Sequence, residues 1–391
     1  MRQRLAIVAS HVIQYQDPLF RRIAAEPDIE LTVLYGSRHG AEPFHDAEMG
    51  TTVTWDVAML HGYCHRFFRN LAPRGADRFW RLVNPGLVAH LFKREYDAVI
   101  FMTGWGTFTS LAGMAACRLA RIPFFIFGDS TFPPPESSAL SRVRAGMLRA
   151  LFGLASGFMI SGSRNAEYYR HYGADDSRFF AMPWAIDNAR FIEASRFAEG
   201  ERDALRQKHG IKGDDVVILF SGKLVPRKDP LTLVAAFTSM RNRATLVIAG
   251  DGELRSELER VANDRVHFLG FVNQTELPKI YAMSDVLVVP SINEPWGLVI
   301  NEAMACGLPV IASDRTGAAA DLVRDGENGF VFRAGDREQL AAQLDLLAGD
   351  SDLRQRMGGR SRAIIADFDY AADVRGIRRM LQFVSGEGGG L

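Results

Sequence analysis

Short apolar runs alternate with amphipathic stretches along the whole chain, the pattern of strands buried on both faces and separated by helices. Runs near Leu5–Ala9, Glu30–Leu34, Ala98–Met102, Phe124–Phe127 and Gly157–Ser161 predict strands in the first half. Runs near Val216–Ser221, Thr245–Ala249, Val266–Leu269, Val286–Val289 and Pro309–Ala312 predict strands in the second. Parallel strands need crossover connections, and a helix supplies each one, so the alternation predicts an α/β fold with two similar parallel sheets. The change from one set to the other falls around Met182–Phe191, in MPWAIDNARF. A final aromatic and basic stretch, DFDYAADVRGIRRMLQF from Asp367, precedes a glycine-rich tail, Gly386–Leu391, expected to be mobile.

The stretch richest in chemistry is NEPWGLVINEAMACGLPVIASD, Asn293–Asp314. Glu294 and Glu302 stand eight positions apart around Trp296, Gly297 and Leu298, just after the apolar run SDVLVVPS. Pro295 suits a first helical turn, and a helix entered near Gly297 would turn backbone N–H groups toward the crevice at the strand ends, a place that favours an anion such as a pyrophosphate. At about 1.5 Å per residue Glu302 lies roughly 7 Å along that helix, the offset between a pyrophosphate and its ribose, so Glu302 is expected to accept the ribose hydroxyls. Glu294, in the loop before the helix, would face the sugar on the other side of the phosphates. A bare pair of helix glutamates is more often a solvated surface; the strand and loop around this one lift it above that reading.

These motifs resemble the E-x7-E signature of retaining family-four glycosyltransferases with the GT-B fold, the glycosyl transferases group 1, and the neighbouring motifs occur in the same order through most of the C-terminal half. FSGKLVPRKDPLTLVAAF (Phe220–Phe237) resembles the family's strand, basic loop and helix, with Gly222 in the loop and Lys223 and Lys228 where its two diphosphate-binding cations stand. Arginine is commoner at the first position; lysine keeps the charge without the two-pronged geometry. LVIAGDGEL and VHFLGFV resemble the segments that approach the nucleotide, with Gly250 in the first and Phe271, near the base, in the second. Gly250, Gly252 and Gly270 read equally well as glycines of tight strand-to-helix turns. The resemblance implies GT-B architecture: two Rossmann-like domains whose parallel sheets face an interdomain cleft, with residues 1–187 binding the acceptor, 188–366 binding the nucleotide sugar, and 367–391 a helix returning toward the first domain plus a tail. It implies a nucleoside-diphosphate sugar as donor, bound by Gly222, Lys223, Lys228, Gly250, Phe271, Trp296, Gly297, Leu298 and Glu302, no cofactor and no metal, and a front-face attack in which Glu294 positions the donor sugar.

The first domain is less informative. Gln14, Tyr15 and Asp17, in the loop after the first strand, are acceptor candidates, but the glycine pair common in the family is missing there. Gly104-Trp105-Gly106 is an incomplete dinucleotide fingerprint and reads as a helix-entry loop. Asp129 stands where many relatives carry a histidine near the reacting sugar; it is a candidate catalytic residue for holding a sugar hydroxyl or the acceptor, and equally a turn cap. ALSRVRAGMLRALFGLASG carries Arg142, Arg144 and Arg149, and His65–Arg69 forms another aromatic and basic patch. An ordinary half-buried helix with a solvated basic face is the favoured reading of the former; contact with anionic lipid is the alternative.

Composition narrows the classes. Among 391 residues, 46 basic and 46 acidic side chains cancel, which argues against a nucleic-acid partner. Cys64, Cys117 and Cys306 have no metal or redox spacing and suit reduced thiols. MRQRLAIVAS reads as a first strand rather than a signal peptide, and no apolar run reaches the about 18 residues of a spanning helix. The expected protein is cytoplasmic, at most peripheral on the membrane face, acting on a saccharide or lipid-linked saccharide in cell-surface polysaccharide or glycolipid synthesis. A GT-B epimerase or phosphorylase, a nicotinamide-dependent dehydrogenase and a non-catalytic sugar-nucleotide-binding protein are the alternatives, separable by their products and ligands.

Overall fold

A computed structural model describes residues 2–73, 75–133, 137–197, 200–212 and 215–386. Residues 387–391, most of the expected tail, lie outside them. The strands, in chain order, are β1 (Gln3–Ala9), β2 (Ile29–Tyr35), β3 (Phe44–Asp46), β4 (Thr51–Val53), β5 (Cys64–Phe67), β6 (Ala98–Phe101), β7 (Phe124–Phe127), β8 (Gly157–Ile160), β9 (Phe179–Ala181), β10 (Val216–Ser221), β11 (Ala244–Ala249), β12 (Val266–Gly270), β13 (Val286–Val289), β14 (Val310–Ser313) and β15 (Gly329–Phe332). All ten strands expected from the apolar runs are present.

The chain divides into two compact units. The first comprises Met1–Pro43, Ala58–Trp184 and Tyr370–Leu391; the second comprises Phe44–Val57 and Ala185–Asp369. The first carries a seven-stranded parallel sheet in the order β5-β2-β1-β6-β7-β8-β9. Its faces are covered separately: Ala6 and Val8 point into one core with Phe101, Phe124 and Phe158, while Leu5, Ile7 and Ala9 point into another with Phe20, Phe125 and Met159. The C-terminal helix Tyr370–Ser385 belongs to this unit and buries Val374, Ile377, Met380 and Leu381 in the second of these cores.

In the second unit a six-stranded parallel sheet runs β12-β11-β10-β13-β14-β15. Ile218, Phe220, Leu246, Ile248, Val286 and Val288 pack one face against the helices Pro230–Thr238 and Arg337–Gly349. In both units the first strand sits between the second and the fourth major strand, the arrangement in which consecutive crossovers leave on opposite sides and open a crevice at the strand C-termini. That crevice lies between β1 and β6 in the first unit and between β10 and β13 in the second.

One segment departs from the expected division. Phe44–Val57, placed with the first domain on chain position alone, goes with the second unit. It forms the antiparallel hairpin β3–β4, and polar contacts with residues far along the chain hold it there.

Candidate active site

Two loops meet at the β10/β13 crevice. After β10, Ser221–Val225 leads into a single turn, Pro226–Lys228, which ends at Asp229. Asp229, in the left-handed region at φ 49°, caps the helix Pro230–Thr238 by accepting from Thr232 N, and Pro230 opens that helix with φ already suited to it. The turn presents Lys228 at the crevice. After β13 the chain returns across it: Ile292 N donates to Arg227 O at 3.0 Å, tying the two loops together. This brings Lys228 Nζ onto Glu294 Oε2 as an ion pair, both side chains mostly shielded from solvent.

The loop before the glutamate helix is held by backbone. Glu294 N donates to Arg315 O (3.2 Å), Gly317 N to Glu294 O (2.8 Å) and Ala318 N to Trp296 O (2.9 Å). Pro295 is therefore part of this loop, contrary to the first-turn expectation; the helix runs Leu298–Ala305, with Gly297 as its N-cap. Gly297 sits at φ 100°, and a Cβ there would come 3.1 Å from Thr316 Cγ2 and 3.3 Å from Glu294 Cγ. Glycine is needed both for the backbone conformation and to leave room for the Glu294 side chain. Trp296, expected at the donor, is 5 % exposed and donates its indole N–H to Asn301 Oδ1 at 3.0 Å, so its ring braces the loop against the helix. Leu298 is the first helical residue and half-buried.

Glu302 lies about one turn beyond that entry, partly buried, with Tyr281 Oη donating to its Oε2 at 2.6 Å. Desolvation pushes the Glu302 carboxyl up to about 7, partly opposed by the Tyr281 hydrogen bond and the positive charge of Arg190. Burial, with the carboxylate beside it, holds the Tyr281 phenol well above its usual range. Arg190 donates to Gln274 Oε1 at 3.2 Å, while its Nε is buried with no protein partner. Tyr281 and Arg190 carry no sequence signal as site residues; Arg227 stands inside FSGKLVPRKDPLTLVAAF, between the two lysines that bear the resemblance.

Gly250 is explained by packing: a Cβ there would stand 1.8 Å from Gly222 O, so two loops pass backbone against backbone above β10 and β11. Gly222 supplies that carbonyl. Phe271, half-buried after β12, faces Trp55 with ring centroids 6.2 Å apart. The hairpin segment that carries Trp55 also reaches the basic loop. Lys223 Nζ lies 2.8 Å from both Asp46 Oδ2 and Glu48 Oε2, and Arg227 Nη2 lies 3.0 Å from Glu48 Oε2. Burial would raise the Asp46 carboxyl, but hydrogen bonds from Lys223 and from the Met49 and Glu48 amides outweigh it and hold it below the usual range. Lys223 holds Glu48 down likewise.

The first unit's candidates are placed differently. Asp17 is 1 % exposed, accepts from Leu60 N and Tyr63 Oη at 2.7 Å each, and pairs with Arg21. It is a brace for the Leu60–Tyr63 segment, not a group open to an acceptor. Tyr15 packs edge-on against Trp184, and Gln16–Asp17 leads into the helix Asp17–Ala24. Asp129 is exposed just beyond β7, in a loop shaped by buried Asn165, whose Nδ2 donates to Gly128 O and Ser130 O. At the end of β1, Ser10 Oγ and His11 Nδ1 lie 2.8 Å apart, with the His39 ring edge-on at 5.1 Å. Burial, then His39 and Arg81, drive the His11 imidazole down to about 4, so it is neutral at physiological pH. In the helix Ala139–Leu154 only Ala145, Leu148 and Phe152 are buried. The opposite face is not simply basic, as expected, but a stripe of Leu140, Val143, Met147 and Leu154, all more than half exposed.

The fold is that of the GT-B glycosyltransferases. HepE of Anabaena, in complex with UDP, superposes with a TM-score of 0.74 at 22% identity, covering 97% of this chain and all of that one. WaaG, a glycosyltransferase involved in lipopolysaccharide biosynthesis, gives 0.68 at 19% identity over 98% of this chain and 100% of that one. Residues 201–363 match the family described as glycosyl transferases group 1. A D-inositol 3-phosphate glycosyltransferase of Nocardia farcinica is 32% identical over 221 residues, 53% of this chain. The chain spans about half the length of that relative, 48%.

Proposed function

We propose that the protein is a retaining glycosyltransferase that moves a sugar from a nucleoside-diphosphate sugar to an acceptor hydroxyl, with the donor seated at the β10/β13 crevice of the second unit. The observation that carries this reading is the meeting of Lys228 with Glu294 at that crevice, eight residues ahead of Glu302 on the helix that leaves it. Lys228 and Lys223 offset the charge that grows on the departing diphosphate, the largest effect such a site can supply. Glu302, oriented by Tyr281, accepts the ribose hydroxyls with its remaining lone pairs. Glu294, released from Lys228 as the phosphates take that cation, turns to the donor sugar and stabilises its oxocarbenium character; a diphosphate oxygen helps remove the acceptor proton on the same face. No step of this scheme calls on a metal. HepE is solved with UDP and with UDP-glucose, which makes a UDP-sugar the first donor to try.

The acceptor is a saccharide or lipid-linked saccharide of cell-surface polysaccharide or glycolipid synthesis, reached at an anionic membrane face. The exposed Leu140, Val143, Met147 and Leu154 stripe supports this: Arg142, Arg144 and Arg149 flank it, and the helix carries no acidic residue. Among the described residues no helix is long and apolar enough to cross a membrane. Binding to anionic but not zwitterionic vesicles, lost in a Leu140→Ser/Met147→Ser variant of unchanged circular dichroism, is the expected result; equal behaviour of the two proteins would remove the membrane from the proposal.

The transferase reading is tested with a panel of UDP-, GDP-, ADP- and dTDP-sugars followed by ligand-observed NMR. Selective binding with slow release of the nucleoside diphosphate is expected. Epimerised donor, or turnover dependent on inorganic phosphate, would replace transfer with epimerase or phosphorylase chemistry; no binding at all would remove the donor site.

A further inference from the structure

The hairpin segment Phe44–Val57 is the one piece ahead of Ala185 that belongs to the second unit. Its acidic tip and its aromatic base fall on different parts of the proposed donor site. At the tip, Asp46 and Glu48 place carboxylates on Lys223, and Glu48 adds Arg227. The turn is self-supporting: Asp46 Oδ1 accepts from the amides of Glu48 (3.0 Å) and Met49 (3.1 Å), and Gly50 closes it. At the base, Asn273 Nδ2 donates to Thr54 O at 2.7 Å, the Thr275 amide and hydroxyl donate to the Asp56 carboxylate, and Trp55 lies between Phe44 and Phe271.

We propose that this hairpin is a built-in competitor of the nucleotide donor: its carboxylates take the cations that a diphosphate needs, and its Trp55 covers Phe271, where the base is to lie. The inference rests on the donor site proposed above. The competition is electrostatic. A diphosphate cannot share Lys223 with two carboxylates at contact distance, because like charges packed around one half-shielded ammonium repel strongly in a partly desolvated site. Donor binding at Lys223 therefore requires the hairpin tip to leave. The contacts holding the tip are ion pairs, not buried apolar surface: the Lys223–Asp46 pair is largely shielded, while Glu48 is 48% exposed and Arg227 42%. Exposed pairs such as those of Glu48 are strong enough to bias an equilibrium and weak enough for a substrate to overcome. The hairpin would then set a threshold: ligands with two adjacent phosphates displace it, while nucleosides and monophosphates do not.

Glu48 is the cleaner position for a test, since Asp46 also shapes the turn. Binding of UDP, GDP and ADP, and of the matching monophosphates, is measured by calorimetry on the wild type, Glu48→Gln and Lys228→Ala. For whichever base binds, Glu48→Gln is expected to bind the diphosphate about threefold to tenfold more tightly. Hydrogen exchange should rise at Thr51–Val53 when the diphosphate is added to the wild type. Diphosphate binding that is equal in wild type and Glu48→Gln, with exchange at Thr51–Val53 unchanged or slowed, overturns the hairpin proposal and leaves the donor site standing. Diphosphate binding that survives Lys228→Ala undiminished, or fails in wild type and Glu48→Gln alike, overturns the donor site and the hairpin proposal with it.

Discussion

The two units are built on one plan, and their crevices have been filled with opposite kinds of residue. At the β10/β13 crevice of the second unit stand Lys223, Arg227, Lys228, Glu294 and Glu302, charged groups that satisfy one another, the hairpin or a neighbouring phenol. At the β1/β6 crevice of the first stand Ser10 and a neutral His11, with His39 beside them and the charge of Arg81 near, while the nearest acid of that loop, Asp17, is sealed beneath Leu60 and Tyr63. Strand order alone thus makes a place for a ligand; the side chains at the strand ends decide whether it is an anion or a neutral polyol. The charged set in the second unit suits diphosphate chemistry.

The sharpest way to break this contrast is at the Lys228–Glu294 pair. Glu294→Gln and Lys228→Ala are each expected to lower kcat/KM by about 10²–10³-fold, the scale of losing one transition-state electrostatic contact, with circular dichroism and melting behaviour retained. Near-normal kinetics in both would end the assignment. Asp17→Ala in the first unit should do the reverse: it leaves the Leu60 amide and the Tyr63 hydroxyl without their acceptor and costs about 2–3 kcal/mol of stability, read from the denaturant midpoint, while donor affinity of the folded protein stays unchanged.

Glu302→Ala should mainly raise the donor KM, by about tenfold, the loss of roughly one charge-assisted hydrogen bond. Because the Glu302 carboxyl is raised to about 7 and ribose hydroxyls need the carboxylate, donor affinity should fall as pH drops below 7, and binding near pH 7 should release protons. Calorimetry in buffers of different ionisation enthalpy detects that release, which Glu302→Gln abolishes. The effect of His11 is on stability and shows only in acid. Its folded value of about 4 lies below the ordinary imidazole value of 6.5, so between those limits the unfolded chain binds a proton that the folded one refuses. Stability should therefore be lost as pH falls from 6.5 toward 4, and His11→Gln should flatten that slope in a pH series of urea melts.

Much of this plan was legible because parallel strands buried on both faces must be apolar throughout, which is why every run from Leu5 to Val310 marked a real strand. Five strands escaped for the converse reason. In β5, Cys64 and Arg66 are exposed while His65 and Phe67 are half-buried, so no apolar run exists; β3, β4 and β9 are three residues each; β15 is a short edge strand after a turn. The glutamate motif located its loop and helix, because Gly297 and the spacing of Glu294 from Glu302 are local features. What could not be read was non-local. Asp46 meets Lys223 across 177 residues, Asp56 meets Thr275 across 219, and Tyr281 meets Glu302 from a helix that looks like ordinary core. None of these leaves a trace in spacing or composition, since each is a property of two elements brought together by the sheet.

The functional reading stands or falls on whether the β10/β13 crevice, and not its twin between β1 and β6, holds the donor. A crystal structure with a bound nucleoside-diphosphate sugar would decide this. The diphosphate is expected on Lys223 and Lys228, the ribose on Glu302, the sugar beside Glu294 and the tip of the Phe44–Val57 hairpin withdrawn from Lys223. A nucleotide seated at Ser10 and His11, or one bound in the second unit away from Lys228 and Glu302, would contradict it.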